Sequence, residues 1–116
     1  HTVAQGSQRG VAPAERGRHV LRAMIVGTLE VRLHLPDARS LKDKRHVVQS
    51  LKDRLRTGFN VSVAEVERQD VIQSAVLGVV QVGNDTRYIN GTLSRVVDAL
   101  RRLPEAQLVD YRIEFL

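Results

Sequence analysis

Residues 25–35 read IVGTLEVRLHL. Ile25, Leu29, Val31, Leu33 and Leu35 fall on one parity, and Thr28, Glu30, Arg32 and His34 on the other. Successive side chains of an extended chain point to opposite faces, so this alternation predicts a half-buried strand. Pro36 ends it, and Pro36-Asp37-Ala38-Arg39 reads as a loop. The period then changes. Ser40 is a suitable N-cap, with Asp43 three residues on, close to a capping box. Leu41, Val47, Val48, Leu51 and Leu55 gather on one side at the step of about 100° per residue of an α-helix, which predicts a helix over Leu41–Thr57. Gly58 is placed to close that helix in the C′ position.

The same strand-then-helix logic runs through the rest of the chain. Phe59–Glu67 alternates again, Arg68–Gln73 is a polar hairpin loop, and Ser74–Val82 is apolar on both parities, as a central strand would be. Gly83-Asn84-Asp85 supplies a turn and an N-cap. Thr86–Leu103 carries an apolar stripe of Ile89, Leu93, Val96, Val97, Leu100 and Leu103, stopped by Pro104. Leu108–Leu116 returns to alternation, with Val109, Tyr111, Ile113 and Phe115 on one parity. The order is strand–helix–strand–strand–helix–strand. Two helices with one apolar face each must cover one face of a four-stranded sheet. Right-handed crossovers then give an α+β, ferredoxin-like βαββαβ sandwich with a four-stranded antiparallel sheet.

Upstream, residues 1–23 (HTVAQGSQRGVAPAERGRHVLRA) lack sustained apolar periodicity. They read as an arm outside the domain of residues 24–116, either a vector-encoded or mis-start remnant or a native basic extension. They are not a secretory signal, having no apolar core of about seven or more residues. Four of the 18 Lys and Arg and one of the 13 Asp and Glu lie there, so much of the +5 net charge belongs to the arm.

Composition removes whole classes of chemistry. Without cysteine there are no disulfides, thiolate zinc sites or cysteine nucleophiles. No apolar run reaches the roughly 18–20 residues of a membrane span. No glycine-rich phosphate loop follows the first strand. His1, His19, His34 and His46 lack metal-ligand spacing, and His34 belongs to the polar face of a strand. Ser40 caps a helix, while Glu65 with Glu67, or Asp110 with Glu114, read as a solvated strand face. The expectation is a protein that is not an enzyme, with no cofactor, no metal and no small-molecule substrate.

One surface stands out. Residues 39–56 hold Arg39, Lys42, Lys44, Arg45, Lys52, Arg54 and Arg56 against Asp43 and Asp53. Stepped around the helix, Lys42, Arg45, Gln49, Lys52 and Arg56 occupy about 80° of arc beside the apolar face. Aligned cations of this kind suit a phosphate backbone. Arg39, Lys42, Lys44, Arg45, Lys52 and Arg56 are therefore the candidate nucleic-acid contacts. Lys44 falls on the apolar side, and its stem is expected to pack while its ammonium reaches water. The uncovered sheet face offers Thr28, Glu30, Arg32 and His34, with Val76, Gly78, Val80 and Val82, but no aromatic on which a base could stack. Its apolar positions suit homo-oligomerisation through the sheet instead. In the hairpin loop, Gln69, Asp70 and Gln73 form either a small recognition site or a loop closure in which Asp70 accepts backbone N–H bonds.

The blocks Leu33-His34-Leu35-Pro36, Arg39-Ser40-Leu41-Lys42-Asp43-Lys44-Arg45 and Phe59-Asn60-Val61-Ser62-Val63-Ala64-Glu65-Val66 resemble the YlxP-like family of small bacterial proteins of unknown function. Gln69-Asp70, Gln73, Leu77-Gly78-Val79 and Asn84-Asp85 extend the resemblance across residues 24–116. Relatives often carry Trp in the loop where this chain has Val71-Ile72. The resemblance implies a ferredoxin-like fold. Through the gene neighbourhoods of such proteins, it also implies a cytoplasmic role near RNA or the ribosome. It carries no catalytic residues.

Overall fold

A computed structural model of the chain describes residues 24–116, and the arm of residues 1–23 lies outside the described residues. The elements are β1 (Ile25–His34), α1 (Leu41–Gly58), β2 (Ser62–Glu67), β3 (Ser74–Gly83), α2 (Thr86–Arg101) and β4 (Gln107–Phe115). The strands form one antiparallel sheet in the order β2-β3-β1-β4, the expected ferredoxin-like arrangement.

Registration follows the alternation. Leu29 stands opposite Val79 and Ile113, and Val31 opposite Leu77 and Tyr111. This parity of β1 faces the helices. Leu29, Val31, Leu33, Leu77 and Val79 meet Val48, Leu51 and Leu55 of α1 and Ile89, Leu93, Val96 and Leu100 of α2 in one buried core. The opposite parity, Thr28, Glu30 and Arg32, lies beside Val80, Gly78 and Val76 on the uncovered face. β3, apolar on both parities, is central, as its sequence requires.

The helix ends show local chemistry at work. Ser40 Oγ accepts from the Asp43 N–H at 3.0 Å, and Asp43 Oδ2 accepts from the Arg39 N–H at 3.0 Å. Asp85 Oδ1 accepts from the Arg87 and Tyr88 N–H groups at the start of α2. The C-terminus of α1 departs from expectation. Gly58 belongs to the helix and does not adopt a left-handed conformation, and the chain leaves through Phe59 with φ −142°. Phe59 N–H still donates to the Leu55 carbonyl, and Val61 N–H donates back to Phe59. Those bonds hold residues 59–61 out of the sheet, so β2 begins at Ser62 and not at Phe59. Likewise α2 stops at Arg101. Arg102 and Leu103 close a tighter turn through bonds to Ala99 and Leu100.

Two glycines permit close approaches. A Cβ on Gly27 would stand 2.4 Å from Ile89 Cγ2, so its absence lets α2 settle on β1. On the opposite face, a Cβ on Gly78 would stand 3.0 Å from Val66 Cγ1. There a bulge between Glu65 and Glu67 turns Val66 over the sheet.

Candidate nucleic-acid interface on the first helix

Two contacts set the rotation of α1. Arg54 pairs with Glu105, just beyond α2, at 3.2 Å. On the other flank, Arg56 Nη2 donates to the Val63 carbonyl of β2 at 2.9 Å. The flank carrying Lys42, Arg45, Gln49, Lys52 and Arg56 therefore turns away from α2, toward the β2 edge of the sandwich. Lys42, Arg45 and His46 are exposed, and with Gln49 they line a shallow depression. Lys52 is half-buried.

The six candidate cations are not equivalent. Among the described residues, Lys42, Arg45 and Lys52 have no carboxylate within ion-pair distance, and neither has the exposed guanidinium of Arg39. Arg56 is partly engaged, by Val63 and by Asp53 at 3.9 Å. Asp53 also accepts from Gln49 at 2.9 Å. Lys44 corrects the expectation that its ammonium reaches water. It is 2% exposed, its Nζ lies 2.8 Å from Glu65 Oε2, and it also donates to the Arg68 carbonyl. The cause is the register of β2. Glu65 stands opposite Leu77 on the helix-facing side, where an unpaired carboxylate would be costly and a buried lysine answers it. The Ser40-Leu41-Lys42-Asp43-Lys44-Arg45 block thus splits into a cap, a core lysine and two outward cations.

Charge divides between the two layers. α1 and α2 with their flanking loops, residues 35–61 and 84–106, contain 11 Lys and Arg against 6 Asp and Glu. The strands and the β2–β3 loop contain 3 against 6. On the sheet face Arg112 bridges Glu30 at 3.2 Å and Glu114 at 3.4 Å. The helix layer is the anion-attracting side, and the sheet face is an acidic surface studded with the exposed valines Val66, Val80 and Val82.

The hairpin-loop residues do not converge on one site. Gln73 Nε2 donates to the Pro36 and Ala38 carbonyls at 3.2 and 3.0 Å, while its own carbonyl meets the Leu35 N–H and His34 Nδ1. Gln69 turns the other way, to the Glu65 carbonyl at 3.4 Å. The turn itself closes through the Val71 N–H on the Arg68 carbonyl, with Arg68 at φ +62°. Asp70 is exposed and makes none of the described bonds, so loop closure falls to Gln73. No pattern in the sequence marked Glu65 as the partner of Lys44. The one signal was a lysine at a core position of an amphipathic helix.

A ferredoxin-like sandwich with a basic helical layer over an acidic sheet is the class that fold and surface define. The chain belongs to the DUF503 family of proteins of unknown function, whose model matches residues 26–113. It is 31% identical over 91 residues to the uncharacterized protein YlxP of Bacillus subtilis (strain 168), covering 78% of this chain and 99% of that protein. Among solved structures, it is similar to the de novo designed protein Foldit4 with a TM-score of 0.48 at 12% identity, over 80% of this chain and 96% of that one. It is also similar to LarC2, the C-terminal domain of a cyclometallase involved in synthesis of the NPN cofactor of lactate racemase, with a TM-score of 0.42 at 13% identity, over 79% and 54%.

Proposed function

We propose that the protein is a non-enzymatic cytoplasmic accessory factor that binds the phosphate backbone of RNA, free or in the ribosome, through the outer flank of α1. The observation that carries this reading is the set of cations Lys42, Arg45 and Lys52, unpaired among the described residues, with Arg39 at the helix start, on the basic layer of a charge-divided domain. Lys42 and Lys52 are ten residues apart, about 15 Å along the helix axis, a span that covers several phosphates. Arg56 contributes at the far end of the flank, and Lys44 supports the helix from beneath without touching the ligand. The flank offers no Phe, Tyr or Trp for stacking, and His46 is its one aromatic ring, so contact is chiefly with the backbone and carries little base preference.

Binding of a structured ribosomal RNA fragment, followed against salt concentration, tests this. Affinity falls steeply as salt rises, and reversing Lys42, Arg45 and Lys52 to Glu abolishes it while leaving the melting temperature nearly unchanged. Undiminished binding by the triple variant rejects the site. The exposed valines of the sheet face favour a second reading, a protein-interaction module that self-associates face to face. Val80→Lys abolishes self-association if that reading holds.

A further inference from the structure

The two edges of the sheet are guarded differently. β2 is six residues long, is broken by the bulge at Val66, and has Arg56 lying across it onto the Val63 carbonyl. Such devices blunt an edge against pairing. β4 is nine residues long, contains no Pro or Lys, and among the described residues hydrogen-bonds to β1 alone. Its only irregularity is near Val109, where the register with Arg32 and Leu33 shifts, and from Asp110 to Phe115 it is regular. Leu116 N–H donates inward to the Val26 carbonyl. By alternation, the backbone groups of Tyr111, Ile113 and Phe115 point to the free edge. Among the described residues, one side chain covers any of them: Asp110 Oδ1 accepts from the Tyr111 N–H at 2.8 Å.

We infer that this edge pairs with the β4 edge of a second copy of the chain, antiparallel, about a two-fold axis through Ile113. The side chains select that register. Opposed residues share a face in an antiparallel pair, so each symmetric register is centred on one residue. Centring on Asp110 or Arg112 opposes like charges: Asp110 to itself, or Arg112 to itself with Asp110 against Glu114. Centring on Tyr111 uses the irregular Val109. Centring on Ile113 opposes Arg112 to Glu114 twice on the sheet face and Tyr111 to Phe115 twice on the helix side, all within the regular segment. Tyr111 and Phe115 are 43% and 37% exposed in the single chain. Arg112 already reaches Glu114 of its own strand on that face. The result is a continuous eight-stranded sheet that leaves both α1 flanks open, and it stands whether or not α1 binds RNA.

Sedimentation of the full chain from micromolar to hundreds of micromolar tests the inference. A reversible dimer is expected. Arg112→Glu weakens it at least about tenfold, since two attractive cross-strand pairs become repulsive. The exchanged variant Arg112→Glu/Glu114→Arg restores it in this register but not in one centred on Tyr111, where residue 112 meets Asp110. Val80→Lys leaves it unchanged. Because the chain has no cysteine, Ile113→Cys adds a second readout that survives any loss of stability in the charge variants. Its thiols face each other across the axis at a Cα separation of about 5.5 Å and oxidise to a disulfide dimer. A monomer at all concentrations, failure of the exchanged variant to recover together with no Ile113→Cys crosslink, or loss of the dimer on Val80→Lys overturns it.

Discussion

Lys44 of α1 and Glu65 of β2 form an ion pair at 2.8 Å beneath the helix, with the lysine fully enclosed and the carboxylate slightly exposed. The pair fastens α1 to an edge strand whose one neighbour in the described sheet is β3, beside the Arg56 bond to Val63. Lys44 also donates to the Arg68 carbonyl, so one ammonium ties the helix to both the strand and the loop that follows it.

Removing one partner strands the other in a poorly solvated place. Lys44→Met is expected to destabilise the domain by about 3 kcal/mol, the lower end of the range for broken buried pairs because Glu65 keeps some contact with water. The double variant Lys44→Met/Glu65→Leu recovers much of that loss, since two apolar side chains replace two charges together. Urea denaturation of the parent, Lys44→Met, Glu65→Leu and the double variant gives the coupling directly. At a temperature where it is folded, Lys44→Met binds RNA as tightly as the parent, which separates the core lysine from the outward cations. Weakened binding by the folded variant would return Lys44 to the interface.

How much of this was legible beforehand depends on the range of the interaction. Strand alternation and helix periodicity are properties of neighbours in sequence, so β1, β3 and α2 could be read within a few residues. Ser40 and Asp85 act within three residues of themselves and were equally readable. The Lys44–Glu65 pair spans 21 positions and depends on a register that no local pattern encodes. Gln73 reaches the Pro36 and Ala38 carbonyls across the end of the sheet, and the choice between it and Asp70 could not be made from the loop alone. Phe59–Val61 alternate like a strand yet only connect α1 to β2, with Phe59 and Val61 packed against the core outside the sheet.

The two glycines in and near helix contacts should respond in opposite directions to alanine. Gly27→Ala places a methyl group against Ile89 Cγ2, a branch close to the helix backbone that cannot swing aside. A loss of about 1–3 kcal/mol is expected, from overpacking. Gly58→Ala meets nothing within 4 Å at the end of α1, where the backbone is not left-handed. It should gain about 0.5–1 kcal/mol by restricting the unfolded chain. Thermal melts of both variants check the pair, and a stabilising Gly27→Ala would contradict the close approach of α2 to β1.

Gln73 joins the β1–α1 loop to the β2–β3 loop through two carbonyls that no other described side chain satisfies. Gln73→Ala is expected to cost about 1–3 kcal/mol, chiefly through loss of both bonds. It should also speed amide hydrogen exchange at Leu35 and Ala38, whose N–H groups lie in that junction. Asp70→Ala and Gln69→Ala should each change stability by less than about 0.5 kcal/mol, as exposed side chains with one weak bond or none. If Asp70→Ala costs as much as Gln73→Ala, the closure has been assigned to the wrong residue.

The N-caps separate helix stability from surface charge. Ser40→Ala removes the hydroxyl that accepts from the Asp43 N–H, and Asp85→Ala removes the carboxylate that serves the Arg87 and Tyr88 N–H groups. Each should cost about 1 kcal/mol. Asp85→Ala should cost more, because a charged cap also loses its favourable interaction with the helix dipole. Ser40→Ala loosens the first turn of α1, which carries Lys42 and Arg45 on the proposed RNA-binding flank, without altering the charge of the chain. A fall in RNA affinity for folded Ser40→Ala, with the salt dependence unchanged, would mean that the flank must be held in helical geometry to engage phosphate. Unchanged affinity would mean that charge density alone suffices. Fluorescence titration at two salt concentrations distinguishes these results, because the slope reports the number of phosphates engaged and the intercept how well the cations are placed.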